Sequence, residues 1–279
     1  MKDGSVKTHP GAQSQIRRAE SAIDPEVGVL AVRDMQDNLM GMLVNFTCHP
    51  THNGEHPRLS AGWPGVMCGE IKKRTSPGVV TVFLNGALGD THHSNPLRPE
   101  DLDLNTKENV GTTLAETVVK MLPRLTYFES ANLGSARTTI KIPLRDIDGP
   151  YGVNMKNRQR FAPDEVYETL IAKLRAKKAK RDHVLAEVQA IRINDQTAFV
   201  SLPAEAFSGI GLEIKMNSPF GNTYVVAPAN GIVGYVPTQK AFARGGYECT
   251  LSMGSKLDPI AAALLTDTAL AQLGVVAKR

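Results

Sequence analysis

Apolar and polar positions fall in short blocks along the chain, and the period of the blocks changes several times. Residues 27–33 and 40–46 are apolar runs separated by Asp34-Met-Gln-Asp-Asn38, the pattern of two strands joined by a turn. Residues 64–74 place Glu70, Lys72 and Lys73 outside an apolar stripe with Pro64 near the start, which predicts a helix. Val79-Val-Thr-Val-Phe-Leu84 is almost continuously apolar and predicts a strand buried on both faces. Further on, the spacing predicts helices over 106–121, 163–180, 207–215 and 259–273. Strands are predicted over 137–144 and 223–227, and a hairpin over 187–193 and 197–202 around Asn194-Asp195. Residues 1–24 are polar, without a clear period, and read as an irregular arm. Strands and helices interleave without internal repeats or low-complexity linkers. The expectation is one α/β domain over 1–279, with a mixed β-sheet core flanked by helices.

Composition narrows the function classes. With 279 residues and 42% apolar content a sizeable core is possible. The net charge of +4 is small, and the densest basic stretch, residues 173–181, lies on a predicted helix, where it reads as a solvated face. Only 5% of residues are aromatic, so there is no stacking platform for single-stranded nucleic acid, and no nucleic-acid partner is expected. Cys48, Cys68 and Cys249 form no CxxC pair, which argues for reduced thiols over a disulfide framework or a zinc knuckle. No stretch reaches the ~20 apolar residues of a membrane span, and the N-terminus lacks the apolar core of a secretory signal. A cytoplasmic protein is expected, although the first twenty residues read like the interior of a longer sequence.

Candidate chemistry gathers in four loops that follow predicted strands. His49 ends the first strand pair in Asn45-Phe-Thr-Cys-His-Pro-Thr51, a rigid position at the edge of a cavity, open to a metal-ligating or a hydrogen-bonded structural role. The second loop, Asn85-Gly-Ala-Leu-Gly-Asp90, turns sharply at its glycines, and Asp90 could orient a metal-bound histidine or simply close a Gly-Asp turn. Glu205 stands where a strand ends and a helix begins, as a metal-ligating carboxylate or a helix-capping anion. Tyr235 and Tyr247 flank a glycine-rich bend, as packing residues or as phenols that ligate a metal or donate to an oxyanion. His52, His56, His92 and His93 are spare ligands, and His183 reads as structural.

Taken in order, these motifs resemble the neutral/alkaline, non-lysosomal ceramidase family, and more closely its shorter bacterial members. The resemblance runs through Ile23-Asp-Pro-Glu-Val-Gly-Val-Leu30, Asn45-Phe-Thr-Cys-His-Pro-Thr51 and Ser60-Ala-Gly-Trp-Pro-Gly65. It continues through Phe83-Leu-Asn-Gly-Ala-Leu-Gly-Asp90, Leu202-Pro-Ala-Glu205 and Gly234-Tyr-Val-Pro-Thr238 to Gly245-Gly-Tyr-Glu248. Family members are zinc amidohydrolases whose metal is held by two histidines, a glutamate and a tyrosine. The resemblance therefore implies one Zn2+ per chain, with His49, Glu205 and Tyr235 as ligands, Tyr247 as a carbonyl-binding catalytic residue and Asp90 as a supporting one. Three departures stand out. The family's upstream Thr-His-Thr-His-Ser motif has no counterpart beyond the echo Thr8-His9-Pro10, so the chain resembles a member lacking its N-terminal region, supplied by a missing segment or a second chain. Gly62 stands where the family often has an acidic residue, and Thr91-His92-His93 replaces Ser-Pro-Asn.

The implied activity is cleavage of an amide (N-acyl) bond by metal-activated water, zinc lowering the pKa of a bound water from ~15.7 to about 7. The partner is then a small-molecule amide or ester. The alternatives are a metal-dependent esterase or deacetylase on a small polar substrate, and a truncated, non-catalytic relative acting as a subunit or binding module.

Overall fold

A computed structural model describes residues 1–11, 14–51, 59–98, 100 and 105–278. The first hairpin forms as the pattern predicts: β1 (Gly28–Arg33) pairs antiparallel with β2 (Leu39–Phe46). The helix α1 (Gly62–Arg74) then crosses to β3 (Val80–Asn85), which lies parallel to β2 and completes a three-stranded sheet in the order β1-β2-β3. Thr106 caps α2 (Lys107–Met121), its hydroxyl accepting from the Asn109 N–H, and a 3-10 turn over Leu122–Arg124 ends it. Together α1 and α2 bury Trp63, Met67, Ile71, Leu114 and Val118 against Met42 and Val44.

One expectation fails here. The near-continuous apolar run of β3 predicted burial on both faces, yet Val80 and Val82 are 64% and 44% exposed. Among the described residues, helices cover only the face of this sheet that carries Met42 and Val44. The opposite face, with Val32 next to Gly41 and Val80 in register, is open.

The second sheet has the order β4-β5-β6-β8. Antiparallel β4 (Gly134–Pro143) and β5 (His183–Asn194) are joined through α3 (Asp164–Lys180), and β5 turns directly into β6 (Thr197–Ser201). Tyr167, Ile171 and Leu174 face inward on α3, while Lys173, Arg175, Lys177 and Lys180 are exposed, so the basic stretch is a solvated helix face. A two-residue strand β7 (Glu205–Ala206) and α4 (Ser208–Asn217) lead to β8 (Asn222–Val226), parallel to β6. A second short strand, β9 (Tyr235–Val236), pairs parallel with β7, and a single turn, α5 (Gln239–Phe242), follows it. The long apolar α6 (Ala261–Ala277) buries Leu265, Ala269, Leu273 and Val276 in the core of this second sheet.

The two sheets meet at strand ends. The Asn45 amide donates to the Leu84 and Val225 carbonyls at 2.9 and 3.0 Å, and the Ala227 N–H donates to the Asn85 carbonyl at 2.9 Å. Asn45 is buried, so its amide joins the sheets with its donors satisfied.

Two buried cations hold the loop between β9 and α6. Arg145, 2% exposed, donates to the carbonyls of Leu257, Tyr151 and Cys249 and to the Ser255 hydroxyl, and its guanidinium lies 4.6 Å from the Phe242 ring centre. Burial pushes its pKa down to about 10. Lys256 donates to the Val233 and Met253 carbonyls, and burial pushes it down to about 8. Replacing Arg145→Leu strands three buried carbonyls and a hydroxyl. The expected result is a loss of at least about 3 kcal/mol in the unfolding free energy, read by urea denaturation.

Candidate active site

His49 is placed by the end of β2. The Asn85 side chain brackets the Cys48 peptide, accepting its N–H at 3.2 Å and donating to its carbonyl at 2.9 Å. Trp63, fully buried in the first turn of α1, donates its indole N–H to the His49 carbonyl at 3.2 Å. The Thr91 carbonyl accepts both the His49 backbone N–H and the ring Nδ1–H, each at 3.0 Å. Cys48 beside it is a buried thiol whose pKa burial pushes up to about 12, so it offers no thiolate.

Glu205 and Tyr235 are neighbours because β7 and β9 pair them residue to residue. The Glu205 N–H donates to the Gly234 carbonyl, and the Tyr235 N–H donates to the Gly254 carbonyl. Gly89 passes directly beneath: its N–H donates to the Ala206 carbonyl at 2.7 Å, and a Cβ there would lie 2.4 Å from the Glu205 carbonyl oxygen. Glycine at 89 is therefore required by a close backbone approach, where the sequence suggested only a sharp turn.

Three side chains converge. His49 Nε2 lies 3.2 Å from Glu205 Oε2, with the two side chains 16% and 22% exposed, and the His49 and Tyr235 rings are 6.4 Å apart. Tyr247 meets Tyr235 edge-on at 5.9 Å and Phe161 at 4.9 Å. A carbonyl can only accept, so His49 Nδ1 must carry a proton, and a neutral imidazole then presents only a lone pair at Nε2 toward a carboxylate that also only accepts. The contact needs a positive charge, either a second proton on His49 or a cation. Burial disfavours charged imidazole, yet the Glu205 carboxylate and the Thr91 carbonyl outweigh it and raise the His49 pKa above the usual histidine value.

The surrounding field is negative. Burial first, then the charge of Glu205, holds the proton on the Tyr235 phenol well above the usual tyrosine range. Tyr247 is raised by burial and then by Tyr167, Glu248 and Glu205. Glu248 is raised mainly by burial, with Asp90 adding to it and the Thr8 hydrogen bond and His49 opposing it. A nitrogen, a carboxylate and a phenol meeting where a cation is wanted fit a borderline divalent metal, with His49 Nδ1 anchored by a carbonyl as ligating histidines usually are. Among the described residues no three His, Cys, Asp or Glu side chains form a group that could hold a metal ion.

The remaining expected residues take other places. Asp90 accepts from the Ser208 N–H at 2.6 Å, at the start of α4, and from the Ser21 hydroxyl at 2.7 Å. It is thus the anion at that helix N-terminus, the position Glu205 was weighed for, while His49 Nδ1 is oriented by a backbone carbonyl. Gly62 has φ +57°, a left-handed conformation in which an acidic side chain would be strained. His92 and His93 both approach the Thr51 hydroxyl through Nε2, at 3.0 and 3.2 Å. His183 pairs with Asp182 away from the site, and His52 and His56 lie outside the described residues.

Sequence reasoning gave Glu248 no role and named Thr8 and His9 only within Thr8-His9-Pro10, an echo of the upstream histidine motif. The Thr8 hydroxyl donates to Glu248, and the His9 ring packs edge-on against His92 at 4.1 Å. The Glu in Gly245-Gly-Tyr-Glu248 was a visible signal; in the arm, which has no period, the Thr8-His9-Pro10 echo was the signal.

No family model and no curated protein matches the chain. Among solved structures it is similar to the neutral ceramidase from Pseudomonas aeruginosa, at a TM-score of 0.66 and 17% identity over 97% of this chain and 49% of that one. A ceramidase complexed with C2 gives a TM-score of 0.64 and 16% identity over 96% of this chain and 50% of that one. The fold is ceramidase-like. The chain spans about half the length of these ceramidase chains. Within the ceramidase-like fold, Gly89 ties the Asp90 loop to the strand that carries Glu205. The substitution Gly89→Ala is expected to lower stability by about 1–3 kcal/mol in urea denaturation, because the added methyl meets backbone that cannot step aside.

Proposed function

We propose that this chain is a metal-dependent hydrolase related to the neutral ceramidases, that His49, Glu205 and Tyr235 hold a zinc ion, and that it cleaves an N-acyl (amide) bond. The observation that carries the reading is the His49 to Glu205 contact, two acceptors 3.2 Å apart that need a positive charge between them. Kinship with the ceramidases rests on the ordered motifs together with the ceramidase-like fold. A bound zinc supplies Lewis acidity toward a carbonyl and an acidified water.

The chain's own residues supply the rest. Thr91 and Trp63 fix the His49 ring and backbone, so Nε2 is presented without reorganisation. Tyr247 keeps its proton at neutral pH and can donate to a carbonyl oxygen as negative charge develops there. Glu248, buried next to Tyr247 and raised in pKa, is the carboxyl suited to carry a proton from the attacking water to the leaving group. Exposures of 16% and 22% for His49 and Glu205 leave the centre reachable from solvent.

The deciding experiment is elemental analysis of the purified chain and of His49→Ala, with hydrolysis of N-acyl and ester substrates measured in parallel. About one zinc per chain, lost together with hydrolysis in the variant, is the expected result. A wild-type chain that holds no metal and cleaves neither substrate class overturns the reading in favour of a non-catalytic relative.

A further inference from the structure

The N-terminal arm bridges the two sides of the site. The side-chain amide of Gln159 brackets the Thr8 backbone, accepting its N–H at 2.8 Å and donating to its carbonyl at 2.9 Å, and the Gln159 N–H is itself held by Thr250. The Thr8 hydroxyl reaches both oxygens of Glu248, at 2.9 and 2.8 Å, next to Tyr247. On the other side His9 packs at 4.1 Å against His92, the residue after the Thr91 that orients His49. Ser21 and Glu20 fasten the far end of the arm to Asp90 and Arg244.

His9 itself has φ +50°, a left-handed conformation uncommon for any residue but glycine, of the kind that persists where surroundings enforce it and that clusters at functional sites. The residue is exposed, its ring packs on His92, and it lies close enough to His49 for their charges to interact. Phe161, 58% exposed, packs at a tilt against Tyr247, with 4.9 Å between ring centres. His49 is therefore flanked on its Tyr235 side by the apolar pair Phe161 and Tyr247, and on its Thr91 side by the polar group His9, His92 and Thr51.

We infer that His9 is a substrate-facing residue of this site, whose imidazole hydrogen-bonds the polar, leaving-group side of an N-acyl or ester substrate while the acyl group lies toward Phe161 and Tyr247. The inference rests on the hydrolase reading above. It assigns to the arm a contact that a plain tether would not make, and it names the substrate class as one with a small polar leaving group.

The test uses the full chain, His9→Ala, and His183→Ala as a control, with p-nitrophenyl acetate and N-acetyl amino acids as probes. His9→Ala is expected to lower kcat/KM on the N-acetyl amino acids by about three- to tenfold, mainly through KM, the range of one neutral hydrogen bond. Zinc content and melting temperature stay at the wild-type values, and millimolar imidazole restores part of the lost activity, which a structural role would not allow. The exposed side chain lets imidazole enter. An active wild type with an unaffected His9→Ala overturns the inference alone. So does a loss that tracks a fall in melting temperature and resists imidazole. A wild type inactive on both probes and free of zinc brings down the hydrolase reading, and this one with it.

Discussion

The Thr91 carbonyl can only accept, and because it takes the Nδ1 proton of His49, it turns the other ring nitrogen into a lone pair aimed at a carboxylate. Around that pair the protein places few positive charges and many negative or acceptor groups: Glu205, Glu248, Asp90 and two phenols that keep their protons. An interior so arranged is unfavourable unless a positive charge fills it, by protonation of His49 or by a cation. The geometry is held from the backbone inward, which is why it does not relax. Asn85 and Trp63 fix the peptide on either side of the ring, and the β7–β9 pair fixes Glu205 beside Tyr235.

The same economy explains the buried cations. The stretch from β9 to α6 is nearly devoid of regular structure, so many of its carbonyls have no ladder to join. Arg145 and Lys256 satisfy four acceptors there, three of them carbonyls, and the Tyr151 and Val233 carbonyls outside it, at the cost of burying charge, which shows as pKa values pushed down to about 10 and about 8. Lys256 ties Val233 to Met253, immediately under the strand that carries Tyr235, and Arg145 ties down the stretch that follows Tyr247 and Glu248. Rigid support of the site thus comes from donors that reach across the chain.

The elements were legible because their periods are strong. Both hairpins and all the long helices fall within a few residues of where the pattern puts them, since each has a single apolar face packed on a core. The two-residue strands β7 and β9 were invisible: two residues carry no period, and only their pairing across thirty positions defines them. The loops that hold His49, Glu205 and the two tyrosines could be chosen from strand ends and glycines, and the resemblance sharpened them. The arm could not. Thr8 reaches the site through hydrogen bonds spanning 151 and 240 positions, and His9 through its ring contact with His92, distances at which local composition says nothing. The outer face of β3 misled for a related reason, because an apolar run records that a strand can be covered on both sides without recording what covers it.

Under the proposed ligand set, Tyr235 bears on which cation the centre would take. Nitrogen and carboxylate alone would suit many divalent ions, but a phenol binds a metal well only after losing its proton, and here burial and the neighbouring Glu205 hold that proton above the usual tyrosine range. A cation able to displace it must be strongly polarising and content with nitrogen and oxygen together, which favours zinc or iron over magnesium or calcium. With a weaker ion or none, the phenol stays protonated and His49 carries the charge instead. Under the proposed ligand set, the phenol would act as a filter on the same demand for positive charge that the Thr91 carbonyl creates.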